Sequence, residues 1–201
     1  MEQFDFEKIS FEKFVSDLNE IFSNILNVPQ LLKAIARMGM DTLHVERCSI
    51  MLAEANKLKL VVASWNNFMP IAEVQVPIGF GIAGKVAQTR KSILVDDIED
   101  SHFHKQNEAK YKNNSFISIP LLDQDECLGV MNVNNKTDGK KFNETDLRIL
   151  NILGSTAVLA LKNSLLIEKT QSFQKRLTNI FYHLPLGVLT ININGNIELL
   201  N

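Results

Sequence analysis

Apolar residues recur at three- and four-residue steps in two stretches near the N-terminus. The first stretch predicts an amphipathic helix from about residue 10 to residue 27. Its apolar face consists of Phe11, Phe14, Leu18, Ile21, Phe22 and Ile25. The second predicts a helix from Leu31 to Leu43, with Pro29 near its first turn, where a missing N–H is harmless.

After residue 46, apolar and polar residues alternate along several short stretches, which predicts strands. Arg47 to Leu52 and Lys59 to Ser64 flank the polar turn EANK, so they form a hairpin. The remaining predicted strands are Glu73–Val76, Ser92–Val95, Ser115–Leu122 and Cys127–Asn134. They make a predominantly antiparallel sheet.

The two faces of the first strand differ in character. Alternation directs Cys48, Ile50 and Leu52 to one face of the sheet. The opposite face carries Ser49, Met51 and Ala53, a smaller and more polar set that is compatible with a cavity.

Three glycines precede a short predicted helix. Gly79, Gly81 and Gly84 allow a tight turn into a helix from about Ile82 to Thr89. Their Gly-x-Gly-x-x-Gly spacing superficially resembles a phosphate loop. The stretch follows no strong parallel-strand pattern, and no acidic ribose partner is evident, which disfavours dinucleotide binding.

A long helix is predicted from Asn143. Asn143 is a good N-cap, and Glu144 and Asp146 lie in the first turn. Glycine and proline are absent between Gly154 and Pro185, so the helix runs for about 40 residues and about 60 Å.

The second half of this helix has a seven-residue repeat. Its two apolar rows are Leu166, Phe173 and Ile180, and Thr170, Leu177 and Leu184. This pattern favours a parallel two-chain coiled coil, and the alternative is a helix packed on its own domain. The N-terminal helix is a further candidate for the same bundle.

The order of elements from Ser115 to Leu161 resembles the C-terminal half of a GAF domain, a small-molecule sensing module. The resemblance rests on Asn135-Lys136, Phe142 and Asp146 at their spacing, and it runs from about Pro29 to Leu161. It implies an α+β fold with an antiparallel sheet flanked by helices and a long C-terminal helix. Leu147 stands where cyclic-nucleotide-binding members carry Glu, which weakens that ligand assignment. A structural role also fits: Lys136 pairs with Asp146 while Phe142 plugs the sheet edge.

Residues 181 to 201, FYHLPLGVLTININGNIELLN, resemble the opening of a PAS domain. Pro185 ends the helix, and Asn194-Gly195 makes a hairpin turn between strands Val188–Ile193 and Asn196–Leu200. The domain order predicted from these patterns is an N-terminal helix (1–27), a GAF domain (28–161), a coiled-coil signalling helix (162–184) and a truncated start of a PAS domain (185–201).

Composition narrows the class of partner. The chain has 201 residues, 45% of them hydrophobic, and a formal net charge of −2, so it builds a core but offers no basic stripe for nucleic acid. An apolar run of about 20 residues and a signal-peptide pattern are both lacking, which predicts a cytoplasmic protein with no membrane span. Cys48 and Cys127 are expected to be reduced, the first in the core and the second partly exposed.

No convincing catalytic constellation is found, so a non-catalytic module is expected. The acidic cluster at residues 96–100, together with His102 and His104, would allow a metal site, but a solvated loop is the commoner outcome. Haem ligation through one histidine stays open. No Cys lies between Asp96 and Phe116, which disfavours a covalent bilin of the kind that GAF photoreceptors carry. An output domain, for example a histidine kinase or nucleotide cyclase, is expected beyond this chain.

The resemblance implies a ligand pocket between the sheet, the Ile82 helix and the segment 96–114. The candidate ligand-binding residues are Met51, Trp65, Ile82, Asp96, Asp97, Phe103, Phe116, Ser118 and Asn132. The predicted function is a regulatory sensor that binds an unidentified small molecule, with cofactor unknown, and signals through a homodimeric helix to downstream domains. The dimer residues are Leu166, Phe173, Leu177, Ile180 and Leu184. The alternative is a ligand-free GAF module for dimerisation and spacing.

Overall fold

The computed structural model describes Ser16 and residues 28–65, 74–95, 115–183 and 189–200. The helices in these ranges are α1 (Val28–Leu43), α2 (Gly81–Thr89) and α3 (Glu144–His183). The strands are β1 (Val45–Glu54), β2 (Lys57–Trp65), β3 (Gln75–Pro77), β4 (Ile93–Val95), β5 (Phe116–Asp123), β6 (Glu126–Lys136), β7 (Leu189–Ile191) and β8 (Ile197–Leu200). The helix predicted at residues 10–27 lies outside the described residues except for Ser16. The chain divides into two compact units, Met1–Leu161 and Lys162–Asn201.

Six strands of the first unit form one sheet in the order β3-β2-β1-β6-β5-β4. Every neighbouring pair is antiparallel, and β1 with β2 and β5 with β6 form the two predicted hairpins. The predicted α+β class with an antiparallel sheet is confirmed. The strand predicted at Glu73–Val76 begins two residues later and ends one residue later, at Gln75–Pro77.

The main core lies on one face of this sheet. There α1 and the first half of α3 pack against the strands, and Cys48 and Ile50 of β1 are buried as alternation predicts. Leu150, Leu153 and Ala157 of α3 are fully buried in the same core. Gly154 lets α3 approach β5 closely, because a Cβ added at Gly154 would lie 2.6 Å from Cδ1 of Ile119.

Backbone conformation and close packing account for the three glycines at the start of α2, so a bound phosphate is not needed to explain them. Gly79 and Gly81 have φ values of 90° and 60°, the left-handed region that glycine enters at little cost. A Cβ at Gly84 would collide with the Pro77 carbonyl oxygen. The preceding strand, β3, is antiparallel to β2, so no βαβ unit surrounds these glycines.

Helix α3 has the predicted length and start, 40 residues from Glu144. The Oδ1 of Asn143 accepts hydrogen bonds from the backbone N–H groups of Thr145 (2.8 Å) and Asp146 (3.0 Å). In return, Oδ2 of Asp146 accepts one from the N–H of Asn143 (3.0 Å). This is the reciprocal pattern of a capping box, with Asp in place of Glu.

By length and apolar composition alone, α3 passes as a helix able to cross a membrane. Core helices of water-soluble proteins pass the same test, which makes it weak support for a span. Leu150 and Leu153 of α3 pack in the core described above.

The second unit contains a small hairpin of β7 and β8. Its first strand ends earlier than predicted, because Asn192 begins the turn. The Oδ1 of Asn192 accepts hydrogen bonds from the N–H groups of Asn194 and Asn196, both at 3.0 Å. Gly195, with a φ of 80°, donates its N–H to the Asn192 carbonyl. The resemblance to a PAS domain stays a prediction.

Candidate ligand-binding site

The face of the sheet opposite the main core carries two cross-strand rows that mix polar and apolar residues. In the first row, Ser49 of β1 pairs with Asn132 of β6, and Asn132 pairs with Ser118 of β5. In the second, Asn134 of β6 lies between Arg47 and Phe116. These residues share a face because residues two apart on a strand point the same way. We call this surface the polar face.

The first row is joined by side-chain hydrogen bonds. The hydroxyl of Ser118, which is fully buried, donates to Oδ1 of Asn132 over 2.6 Å. The Nδ2 of Asn132 then donates to Oγ of Ser49 over 3.3 Å. The three side chains therefore form a directed chain across β5, β6 and β1.

The second row contains a buried hydrogen-bond acceptor that no described donor satisfies. Oδ1 of Asn134 is shielded from solvent, and among the described residues it has no hydrogen-bond partner. An unsatisfied buried polar atom costs about 1 to 3 kcal/mol of desolvation. Native structures normally pair such atoms with protein, water or ligand, so Asn134 marks a position where a donor belongs.

Apolar residues flank the polar face on two sides. Beneath α2, Met51 packs with Leu58, Val86, Ala87 and Val130. Beside Asn134, Phe116 packs with Val95 and Ile82. The combination of apolar walls with a few hydrogen-bonding groups is typical of small-molecule sites.

The structure distributes the predicted site residues over this face unevenly. Ser118 and Asn132 belong to the hydrogen-bonded row, and Phe116 and Ile82 to the neighbouring wall. Met51 lies in the cluster under α2. Trp65 ends β2 opposite Arg47, and its side chain is outside the description. The remaining candidates also lie outside the described residues: Asp96, Asp97 and Phe103.

Sequence reasoning missed Ser49 and Asn134 as candidate site residues. Ser49 had been assigned to the polar face of β1, but its partner Asn132 is 83 residues away. Asn134 carried a usable signal, since it follows Asn132 at a two-residue step and therefore shares its face.

Two strands end at the row of Asn134. Trp65 ends β2 opposite Arg47, and Val95 ends β4 opposite Phe116. Ser115 fixes one of these exits, because its hydroxyl donates to the Val95 carbonyl over 2.9 Å. The same oxygen accepts the N–H of Phe142 over 3.0 Å. The described ends of segment 96–114 are thus held together.

The Asn-Lys, Phe and Asp motif lies at the junction of β6 and α3. Nζ of Lys136 lies 2.9 Å from Oδ2 of Asp146, with each side chain 11% exposed. Lys136 also lies 5.5 Å from the ring centroid of Phe142, which is buried in the main core. The predicted pair of Lys136 and Asp146 is confirmed, and Phe142 fills part of the core rather than a sheet edge, because β6 is an inner strand of the sheet. Leu147 packs against the main core, on the opposite side of the sheet from the polar face.

Neither cysteine is activated. Burial raises the pKa of the Cys48 thiol from 9.0 to about 12, and burial also raises the pKa of Cys127. Both are therefore thiols at neutral pH rather than nucleophilic thiolates.

The described ranges contain no group of three or more potential metal ligands, and the acidic cluster at residues 96–100 lies outside them.

Comparison with known proteins identifies the family. Residues 27–161 match the model of the GAF domain. The chain belongs to the GAF domain family, whose members act as sensory and regulatory modules of signalling proteins.

The curated relatives are longer proteins than this chain. The cGMP-specific 3',5'-cyclic phosphodiesterase of Drosophila melanogaster is 30% identical over 82% of the chain, and that of Drosophila ananassae is 27% identical over 82%. The match spans only 16% of the length of each of these relatives.

Solved structures show the same fold. The GAF domain of an Acinetobacter phosphoenolpyruvate-protein phosphotransferase has a TM-score of 0.67 and 18% identity, and it aligns over 79% of this chain and 96% of its own. A methyl-accepting chemotaxis protein, residues 122 to 287, has a TM-score of 0.65 and 23% identity, with 75% and 98% covered. A free methionine-R-sulfoxide reductase from Neisseria meningitidis has a TM-score of 0.66 and 18% identity, with 79% and 91% covered. At these identities the likeness concerns the fold alone.

Proposed function

We propose that this GAF domain is a non-catalytic cytoplasmic sensor that binds a small molecule on the polar face and signals through α3 to downstream domains. The ligand lies against the row of Asn134 and Phe116, next to the Ser49–Asn132–Ser118 chain. The dimer forms through the second half of α3. The downstream domains begin with the PAS domain that residues 185–201 resemble.

The observation that carries this proposal is the buried Oδ1 of Asn134, which has no hydrogen-bond partner in the described part of the chain. A ligand that presents an N–H or O–H group would satisfy it and recover the desolvation cost of that oxygen. Phe116, one strand away and buried against Val95 and Ile82, makes the surroundings of that oxygen apolar. The chemical class is therefore a small molecule with a hydrogen-bond donor and an apolar or flat part.

The route from ligand to helix runs along β6. This strand carries Asn132 and Asn134 in the site and Lys136 at its end, and Lys136 pairs with Asp146 in the first turn of α3. A shift of β6 on binding would act directly on the helix start. Signalling requires that the ligand favour one of two packings of α3 over the other.

The alternative is a GAF module that binds no ligand and serves dimerisation and spacing. In that case water fills the position beside Asn134. The names of the curated relatives place cGMP among the ligands to test, whereas Leu147 disfavours cyclic nucleotides.

A thermal-shift screen separates the two functions. The probes are cGMP, cAMP, haem, the common amino acids and small carboxylic acids, each added to the full chain. A compound at 100 times its Kd should stabilise the fold by about 2.7 kcal/mol. No shift with any of these probes supports the spacer function.

An Asn134→Leu variant tests the site itself. It removes the unpaired oxygen, so the unliganded protein should unfold at the same or a higher temperature, while the shift caused by a binding probe should fall. Asn151→Leu, on the exposed side of α3, is the matched control and should leave the shift unchanged. An undiminished shift in Asn134→Leu would place the ligand elsewhere.

A further inference from the structure

The Ser115 hydroxyl forms hydrogen bonds to two distant parts of the fold at once. Ser115 is 3% exposed, and its Oγ donates to the Val95 carbonyl over 2.9 Å and accepts the Phe142 N–H over 3.0 Å. A serine hydroxyl has a single hydrogen to donate, so the bond to Val95 fixes its orientation. The hydroxyl therefore forms a directed link from Phe142 through Ser115 to Val95.

Val95 connects this link to the wall of the candidate site. It is the last residue of β4, the strand at one end of the sheet, which pairs with β5. The Val95 side chain is buried and packs with Phe116 and Ile82 beside the polar face. A change in the packing of this wall would therefore displace the carbonyl group to which Ser115 is bonded.

Phe142 connects the other end of the link to the start of α3. Its side chain is buried in the main core, and it directly precedes the N-cap residue Asn143. The Asn143 carbonyl accepts the N–H of Leu147 over 3.1 Å, which begins the backbone hydrogen bonding of the helix. Because Ser115 holds the N–H of Phe142, it helps to set the backbone position from which Asn143 caps α3.

The start of α3 is thus held from both neighbours of β5. Lys136 of β6 pairs with Asp146 in the first turn, and Ser115 bonds the residue before the cap to the end of β4. The Ser115 contacts are buried, so removal of the hydroxyl would leave a carbonyl and an N–H without this partner, at a cost that water does not readily offset.

A second hydrogen bond joins the region of β4 to α3 at the surface. Ser92, which precedes β4, donates its hydroxyl to Oδ1 of Asn151 over 3.2 Å. Asn151 is exposed and lies about two turns beyond the cap, so water can take the place of this contact. Ser92 is therefore a matched comparison for Ser115: it links the same two elements without touching the cap.

We propose that Ser115 is a positioning residue that makes the N-terminal cap of α3 depend on the packing of the site wall at Val95. This gives the site a second path to the helix, through β4, besides the one along β6. The role of this path in signalling rests on the proposed function, whereas the coupling of Val95 to the cap is a property of the unliganded chain.

A double-mutant cycle on the unliganded full chain measures this coupling. Val95→Ala, Ser115→Ala and the double variant are compared by hydrogen exchange of the Leu147 amide, resolved by NMR. Val95→Ala should raise this exchange rate by a factor at least about threefold larger when the Ser115 hydroxyl is present than when it is absent, as for groups in direct contact. The exchange of the Ile35 amide in α1 is measured alongside, because global destabilisation would raise both rates.

Two further variants define the role of the hydroxyl. Ser115→Thr keeps it and should restore the response that Ser115→Ala removes. Ser92→Ala is the matched control and should leave the response of the Leu147 amide to Val95→Ala unchanged. If Ser115→Ala did not fold, Ser115→Cys would replace it in the cycle, because a thiol is a weak donor and a weak acceptor.

An equal effect of Val95→Ala on the Leu147 amide with and without the Ser115 hydroxyl would overturn the proposal. Loss of the effect in Ser92→Ala would also overturn it, because the coupling would then run through the surface contact. Since the cycle uses no ligand, a ligand screen without any binding would remove the sensor function and leave this coupling intact.

Discussion

Two ion pairs in the first unit have similar chemistry and different surroundings. Lys136 and Asp146 lie 2.9 Å apart and are each 11% exposed. Lys140 and Asp138 lie 3.6 Å apart on the surface. The local hydrogen bond from the Lys140 N–H lowers the pKa of Asp138. Water screens the second pair, so only the first should matter for the fold.

Lys136→Met should lower the free energy of unfolding by about 3 kcal/mol, since it leaves a largely buried carboxylate without its cation. Urea denaturation at neutral pH measures the change. Lys140→Met is the matched control and should unfold at the wild-type urea concentration. If both variants behaved alike, the Lys136 pair would contribute no more than a surface contact.

The Cys48 thiol gives the fold a dependence on alkaline pH. Its pKa is 9.0 in the unfolded chain and about 12 in the folded one, because burial disfavours the thiolate. The contribution is fully present below pH 9.0 and is lost as the pH rises towards 12, at about 1.4 kcal/mol per pH unit. When the pH is raised from about 8 to about 10.5, the free energy of unfolding of Cys48→Ala should therefore fall by less than that of the wild type. Urea denaturation at the two pH values measures both changes. Parallel losses in the two proteins would count against a buried thiol.

At the scale of elements, the junction of β6 and α3 joins the site to the helix. Asn143 caps α3, and Asp146 accepts a hydrogen bond from the Asn143 N–H and pairs with Lys136. The neighbouring Phe142 is buried in the core and donates its N–H to the Ser115 hydroxyl, which in turn bonds the end of β4. These few residues therefore connect the start of the helix, the core and β4. A disturbance here would reach both the site and the helix.

Asn143→Ala should destabilise the protein by about 1 kcal/mol, because two N–H groups of the first turn of α3 lose their acceptor. Asn143→Ser keeps a capping oxygen and should recover most of the loss. Thermal unfolding followed by circular dichroism measures both variants. Equal melting temperatures of the alanine variant and the wild type would mean that the cap is dispensable.

At the scale of the whole molecule, the exposed apolar side chains of α3 are the basis of the proposed dimer. Leu166, Phe173, Leu177 and Ile180 are all exposed in the single chain. Burying them against a second copy removes them from water at about 25 cal/mol per Å². This is the driving force of the proposed dimer.

Leu177→Asp should make the chain monomeric or markedly weaker as a dimer in analytical ultracentrifugation, because a carboxylate cannot be buried in the seam without a partner. Lys175→Asp, also on α3 but outside the two rows, should retain the dimer mass. An unchanged mass for Leu177→Asp would argue against dimerisation through this helix.

The sequence by itself determined the elements and their faces. Alternation assigned Cys48 and Ile50 to the core, Asn143 set the start of α3, and the lack of Gly and Pro after Gly154 set its length. These features are encoded by residues close together in the chain, so periodicity and capping reveal them. The hairpin turn at Asn194-Gly195 was also predicted, but the preceding strand ends at Ile191 rather than Ile193, because the Asn192 side chain accepts hydrogen bonds from the backbone of the turn.

Only the tertiary structure decided which polar groups meet. Ser49, Asn132 and Ser118 become neighbours through the order of three strands. The oxygen of Asn134 is buried without a partner from the described ranges because of the residues packed around it. Likewise, the sheet covers the side of α3 that carries Leu150 and Leu153 and leaves Ile152 and Leu159 exposed. Burial and pairing depend on contacts between distant segments, and a local pattern cannot specify them.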